Sequence, residues 1–545
     1  MAKQIEYGDR ARAAAKAGID KLADLVKATL GPKGRYIVLD RKFGSPIVTN
    51  DGVTIAKEIE LEDPFENMGA QLIREVSSKT NDVTGDGTTT ACVLAQAIMK
   101  EGYRNITAGA SGVYIKRGID AAVAVVVKAL AGMARKIDLS DKEKAWPELF
   151  NIANISANDK EIAKHITEAI LKVGADGVVT VEESRSAETT LEIVEGMQFD
   201  RGFASPFFMT DMERQEVILN DPQILITDKR LSDVRELIPS LKLLSESKKA
   251  FLIIAEDFDQ QVLATLVLNN LNKVFVCAAV KAPGFGDRRK DILQDIAVLT
   301  GGQVISEELS RRLDKVTVEM FGKAKRVVIS KESTTIVSTA GDKNEIKDRV
   351  AGIRKQLEIA VSEFDKEKLN ERLAKLTGGI AVINVGAITE TEMKAKKFKV
   401  EDAMHATKAA VEEGVVVGGG VALLCAGLAL DGLYSPHRDE NVGIKIIQSI
   451  STEPVRVIAR NAGMDDSVVV NEIIKNENEN KNYGLNAETL EYEDLVKAGI
   501  IDPVKVTRTA LQNAASIAGL LLTTEGLVTD IPIPGKDKLD DFDKL

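Results

Sequence analysis

Hydrophobic spacing changes twice along this chain of 545 residues, and those two changes restrict its architecture before any motif is considered. From about Ala11 to Thr29 the apolar positions Ile19, Leu22, Val26 and Leu30 recur at helical intervals. They stop at Gly31-Pro32-Lys33-Gly34, which predicts a helix running into a rigid turn. Two strand-like runs, Tyr36–Leu39 and Pro46–Thr49, read as a hairpin, followed by helices over Met68–Thr80, Thr89–Lys100 and Ile115–Leu130. Between about 175 and 340 the texture is different. Short β-rich runs at 177–181, 224–227, 251–255, 274–280 and 326–330 are mostly separated by helical stretches at 234–245, 260–271 and 289–299. Such alternation predicts a mixed or parallel sheet with helices on its faces. Val350, Ile353, Leu357, Ala360 and Phe364, then Leu369, Leu373 and Leu376, predict a helical hairpin ending at Gly378-Gly379, and from about 402 to 526 the chain is again helical and Ala-rich. The expected fold class is therefore α+β and multidomain, with two helical ends free to pack together around an inserted β/α middle.

Charge narrows the partners. There are 72 basic against 83 acidic residues, a formal net charge of −11, so neither nucleic acid nor an anionic membrane is an expected partner. The short basic stretches Arg288-Arg289-Lys290 and Lys394–Lys399 are flanked by Asp287, Asp291, Glu401 and Asp402 and read as solvated faces. Cys92, Cys277 and Cys425 are widely separated, which excludes a thiolate zinc site and fits a reducing compartment. The charged opening segment carries no apolar core of a secretory signal. The longest uncharged stretch, Gly414–Leu430, is broken by glycines and falls short of a membrane span. A cytoplasmic protein is expected.

One motif stands out chemically. Gly85-Asp86-Gly87-Thr88-Thr89-Thr90 immediately precedes a helical pattern. Glycines admit close backbone approach, N–H groups at a helix start attract anions, and a neighbouring Asp can hold a divalent cation. Taken alone, the hexapeptide reads first as a tight turn with an Asp or Thr cap and only second as a phosphate cradle. Thr29–Gly34 and Gly418-Gly419-Gly420, each taken alone, read first as a helix C-cap and a close packing contact and only second as further backbone cradles. Asp51, Asp86 and Asp402 are the acidic residues beside these loops. His165, His405 and His437 form no metal-spaced pair, and no Ser or Cys stands in a nucleophile elbow. Phe199, Phe203, Phe207 and Phe208 crowd one Gly- and Pro-interrupted segment, which suits exposed aromatics as well as core packing.

Together, Thr29–Arg35, Asp51-Gly52, Glu66–Ala70, Gly85–Ala91, Glu195–Gly202, Lys281–Arg289 and Val411–Gly420 occur in an order that resembles a group I chaperonin of the GroEL type. The resemblance implies an ATP-dependent chaperone assembled as a homo-oligomer of two stacked seven-membered rings. Its equatorial ATPase domain would comprise 1–135 and 414–530, its intermediate domain 136–195 and 379–413, its apical domain 196–378, and its flexible tail 531–545. Hinges would fall at Gly196, Gly378-Gly379 and Gly414. Nucleotide contacts carry over to Thr29, Leu30, Gly31, Pro32, Asn50, Asp86, Gly87, Thr88, Thr89, Thr90, Gly419, Asn486, Ala487 and Asp502, with Asp86 holding Mg²⁺ and K⁺ a further expected cofactor. Asp402 and Asp51 would position the attacking water. Phe203, Phe207, Phe208, Ile238, Leu241, Leu263, Val267 and Leu268 would bind non-native polypeptide and a GroES-type lid. The sequence departs from the bacterial pattern at Asn50, where Lys is usual, at Glu488, near residue 137, around Trp146-Pro147 and in a tail without Gly-Gly-Met repeats. These departures leave a second reading, a ring scaffold or polypeptide holdase with weak ATPase.

Overall fold

The computed structural model describes residues 2–530 apart from 41–45, 175–176, 185, 195, 213, 338–340, 360–361 and 378. The expected tail 531–545 and hinge residue Gly378 lie outside the described residues. The chain forms two compact units, one from Met1–Thr167 and the stretch from Phe398 onward, the other from Glu168–Lys397.

The first segment of unit one runs β1 (Lys3–Tyr7), α1 (Gly8–Lys27), the hairpin β2 (Ile37–Leu39) and β3 (Ile47–Thr49), α2 (Gly52–Glu58), α3 (Pro64–Thr84), α4 (Thr88–Thr107), α5 (Gly112–Met133) and α6 (Lys142–Ala157). Helix α7 (Lys160–Val173) follows. In α1 the residues Ala11, Ala15, Ile19, Leu22 and Val26 fall on one buried face, as their spacing predicts. Asp63 caps α3 by accepting from the Phe65 and Glu66 amides at 2.8 and 3.0 Å, and Pro64 occupies the first helical position.

Unit two opens with β4 (Val178–Glu183), β5 (Thr190–Val194), β6 (Gly196–Phe199), β7 (Val217–Asn220), β8 (Gln223–Thr227) and β9 (Arg230–Leu231). It continues with α8 (Val234–Glu246), β10 (Phe251–Ala255), β11 (Asp257–Phe258), α9 (Gln260–Leu271), β12 (Cys277–Lys281), α10 (Asp287–Thr300), β13 (Val304–Ile305) and β14 (Gly322–Lys323). Strands β15 (Arg326–Ile329) and β16 (Thr334–Val337), helices α11 (Lys343–Ile359) and α12 (Glu363–Thr377), and β17 (Ile380–Val385) complete it. The parallel order is β12-β10-β8-β13, with β14 antiparallel to β8. All five residues of β10 are buried, as a strand covered on both faces requires. An antiparallel sheet β6-β16-β15-β7 and a mixed sheet β4-β17-β5 flank this layer in the chain. The expected strand over 274–280 begins only at Cys277, because Val274 and Val276 are exposed in the loop leaving α9.

Helix α13 (Glu390–Glu413) leads back to unit one, which adds β18 (Val415–Val417), α14 (Val421–Leu428), α15 (Arg438–Ile450), α16 (Glu453–Asn461) and α17 (Asp466–Asn476). Then come β19 (Tyr483–Asn486), β20 (Glu491–Asp494), β21 (Ile501–Pro503), α18 (Val504–Leu522) and β22 (Gly526–Asp530). The wholly helical reading of 402–526 is thus corrected: β18 pairs with β21 and β19 with β20, in strands too short to carry a two-residue period. Ile19, Leu22, Ile73, Leu94 and Ile98 share one core with Ile444, Ile447, Leu511 and Ala514, so the two ends of the sequence stabilise each other. Each fully buried Leu or Ile contributes about 1.5–3 kcal/mol. Strand β1 also pairs with β22, from Lys3 opposite Asp530 to Tyr7 opposite Gly526. Among the described residues no helix is long and apolar enough to cross a membrane.

Candidate active site

Between α3 and α4 the chain reverses through two left-handed glycines. Gly85 (φ 64°) ends α3 and Gly87 (φ 79°) begins α4. Asp86 sits between them, its Oδ1 accepting from the Gly87 amide at 2.5 Å, and Thr84 Oγ1 donates to the Asp86 carbonyl at 2.8 Å. No side chain among the described residues caps α4. The N–H groups of Thr88, Thr89 and Thr90 therefore point out of a 20-residue helix with no acceptor in that helix, where its dipole favours an anion.

Three other elements bring carboxylates to this loop. Asp51 caps α2, accepting from the Val53 amide at 3.2 Å and the Thr54 amide at 3.0 Å. A Cβ on Gly52 would lie 2.5 Å from Thr89 Oγ1 and 3.0 Å from Thr88 Oγ1, so the starts of α2 and α4 abut and any side chain there would separate them. Helix α13 supplies Asp402, and β21 supplies Asp502 beside β18.

All four carboxylates are half-buried, and three have raised pKa values. Burial raises Asp86, with Asp51 adding to the effect while the Gly87 amide and Ser156 hydroxyl oppose it. Burial, then Asp51, Asp86 and Glu401, hold Asp402 well above the ordinary carboxylate range. Burial and then Asp86 push Asp502 up to about 7. Asp51 and Asp86 thus disfavour ionisation of the carboxylates around them, the situation that a bound cation relieves. Among the described residues no three His, Cys, Asp or Glu side chains converge as a protein-only metal cage. Mg²⁺ commonly takes one or two carboxylates and completes its shell with water and phosphate oxygens, so a single ligand such as Asp86 fits.

The remaining expected nucleotide residues are held by their own neighbours. Thr29, Leu30, Gly31 and Pro32 follow α1, where Thr29 Oγ1 donates to the Val26 carbonyl at 2.7 Å and Asn461 Nδ2 donates to the carbonyls of Lys27 and Leu30. Gly419 (φ 64°) precedes α14 and faces Leu495, whose Cδ1 would lie 3.4 Å from a Cβ there. Asn486 turns inward on its hairpin, Nδ2 donating to Glu493 at 2.8 Å and Oδ1 accepting from the Glu488 amide at 3.0 Å; Ala487 is buried beside it. Asn50 is exposed just before the Asp51 cap. Ser156, which bonds Asp86, and His405, which packs on Gly85, were not singled out from sequence. The only signal for His405 was its position one turn after Asp402.

A model of the TCP-1/cpn60 chaperonin family matches residues 22–532. This chain belongs to that family. The chaperonin is an ATP-driven chaperone of the GroEL type. Its fold is similar to that of the chaperonin gp146 of bacteriophage EL 2 (Pseudomonas aeruginosa), crystallised in the presence of ATP-BeFx. The match has 24% identity and a TM-score of 0.71 over 97% of this chain and 99% of that one.

In unit two the chaperonin exposes Phe207 (67%), Ile238 (54%) and Leu268 (59%). Phe203, Leu241, Leu263 and Val267 are half-buried against the core. Phe208 is a correction: its ring is fully buried, because the 3-10 turn Pro206–Phe208 rotates successive side chains by about 120°, which leaves Phe207 outside and turns Phe208 inward. Phe199 is likewise core, so only part of the aromatic cluster is surface. Leu271, Val274 and Val276, at the end of α9 and in the loop after it, are also exposed and were missed, although the apolar run past the helix was visible.

Proposed function

We propose that the chaperonin hydrolyses ATP at the loop between α3 and α4 and uses the cycle to capture and release non-native chains. The observation that carries this reading is the approach of Asp51, Asp86, Asp402 and Asp502 around an uncapped helix start. The phosphates lie against the first turn of α4 and the Thr29–Pro32 turn, while Gly419, Asn486, Ala487 and Asp502 line the rest of the nucleotide pocket. Mg²⁺ on Asp86 would supply positive charge to the phosphate oxygens and to the crowded carboxylates. Asp51, held rigid by its capping bonds, orients the attacking water, and Asp402 accepts its proton. K⁺ binds near the Asn50 carbonyl.

Clients bind the apolar surface of Phe207, Ile238 and Leu268 with its half-buried neighbours Phe203, Leu241, Leu263 and Val267, and a GroES-type lid competes for the same residues. An equatorial domain of 1–135 and 414–530, an intermediate domain of 136–195 and 379–413 and an apical domain of 196–378 give the moving parts, in two stacked seven-membered rings in the cytoplasm. The test is refolding of a chemically denatured, aggregation-prone enzyme by the purified chaperonin. Recovery that requires ATP and Mg²⁺ supports the proposal, whereas suppression of aggregation without any ATP effect supports the holdase reading.

A further inference from the structure

The parallel sheet of unit two has a reversal in its strand order. From β8 the chain passes to β10 and then β12 on one side, and then returns to place β13 on the other side of β8. With right-handed crossovers, α8 and α9 cover one face and α10 the other, and the segment that follows β13 packs back on α8, where Ser240 Oγ donates to the Leu313 carbonyl at 3.0 Å. Open α/β sheets bind ligands in crevices at the carboxyl ends of their strands.

A cleft of about 800 Å³ opens there. Its walls are the residues that follow three strands, Thr227–Arg230 after β8, Glu256 after β10 and Ile305–Glu308 after β13, together with the start of α10 and the segment 311–314. Thr227 Oγ1 donates to the Ile305 carbonyl at 2.8 Å and Ser306 Oγ to Asp228 at 2.6 Å, which closes the floor. The volume is that of a small-molecule site.

The charges of the lining say what a ligand must carry. Each of the six carboxylates already has a donor: Lys229 serves Glu236 and Glu307 at 3.0 and 3.1 Å, Arg289 serves Glu256, Lys290 serves Glu308 at 2.6 Å, Arg312 serves Asp314 at 2.9 Å, and Ser306 serves Asp228. Arg230 and Arg235 pair outside the cleft with Asp259 and Asp233. Arg311 is different. Among the described residues its guanidinium meets only the Val304 carbonyl, at 3.3 Å, leaving most of its donors for something else. Gly286, with open space where a Cβ would stand, keeps the opposite wall clear.

We propose that this cleft is a second ligand site, separate from the ATP chemistry, that takes a small polar molecule through one phosphate or carboxylate group on Arg311. The ion-paired Glu and Lys side chains around it offer acceptors and donors to hydroxyl groups, as in a sugar phosphate or sugar acid.

The test is calorimetry on the full-length protein with glucose 6-phosphate, glucuronate and glucose as probes. At least one charged sugar should bind about tenfold more tightly than glucose, and Arg311→Ala should remove that preference with ATP turnover unchanged. Which charged sugar binds distinguishes a phosphate from a carboxylate head. Phenylglyoxal labelling of the unaltered protein gives a second readout that needs no variant: the preferred sugar should protect Arg311. No preference for either charged sugar over glucose, or a preference that survives Arg311→Ala while Arg311 stays reactive, overturns the proposal.

Discussion

His405 packs directly on Gly85: a Cβ on Gly85 would lie 2.3 Å from the Cβ of His405 and 2.6 Å from its Cγ. One residue belongs to α13 and the other to the loop that carries Asp86, and Asp402 lies one turn before His405. This contact therefore sets how closely Asp402 approaches the loop. Gly85→Ala should push α13 away and also strain a left-handed residue (φ 64°), at a cost of about 1–3 kcal/mol. The expected result is a fall in kcat of at least about tenfold with a smaller change in KM, measured by steady-state ATP hydrolysis. Equal effects on both would mean that the contact only supports folding.

Asp51 carries two separable duties. Asp51→Ala removes the α2 cap and should cost about 0.5–2 kcal/mol of stability. Asp51→Ser restores a capping oxygen but no carboxylate. Denaturant unfolding should show Ser close to the parent, while ATP turnover should be lost in both variants.

Asp502 couples stability to pH. Its pKa is raised to about 7 from an unfolded value of 3.8, so the folded state retains a proton that the unfolded state releases. Stability of the nucleotide- and metal-free protein should therefore fall as pH rises from about 4 to 7, by up to about 4 kcal/mol at 1.36 kcal/mol per unit. Asp502→Asn should raise Tm at pH 8 and leave it nearly unchanged at pH 4. A thermal scan showing the same gain at both values would put the cause elsewhere.

Phe207 and Phe208 are adjacent yet should respond in opposite ways. Phe207→Ser, on the surface, should weaken capture of denatured protein with stability within about 0.5 kcal/mol of the parent. Phe208→Ala should destabilise unit two by about 3–5 kcal/mol through a core cavity. Light-scattering assays of aggregation together with urea unfolding separate the two.

Helices were the most legible part of the sequence, because faces such as Ala11, Ala15, Ile19, Leu22 and Val26 repeat within one element. The buried strand Phe251–Ala255 was equally plain, since both of its faces are covered and the whole run is apolar. Pairings over long separations were not. Strand β1 is almost entirely exposed and polar, so nothing in Lys3–Tyr7 announces Asp530 as a partner, and Ile380–Val385 pairs with strands nearly 200 residues earlier. In the site, Asp86 stood out through its glycines, whereas Asp502 came only from the family resemblance, since its exclusion from water depends on packing that no local pattern encodes. Phe208 was misread for the same reason: which of two neighbouring rings faces inward is decided by the 3-10 turn that carries them.

The role of Asp402 in hydrolysis is tested by ATP turnover of the Asp402→Ala variant in Mg²⁺ and K⁺, beside the parent protein and with nucleotide binding measured in parallel. The variant should bind ATP within about threefold of the parent but turn over at least about 100-fold more slowly, as loss of a positioned base requires. Turnover at the parental rate would contradict that role, and would remove the carboxylate of α13 from the chemistry.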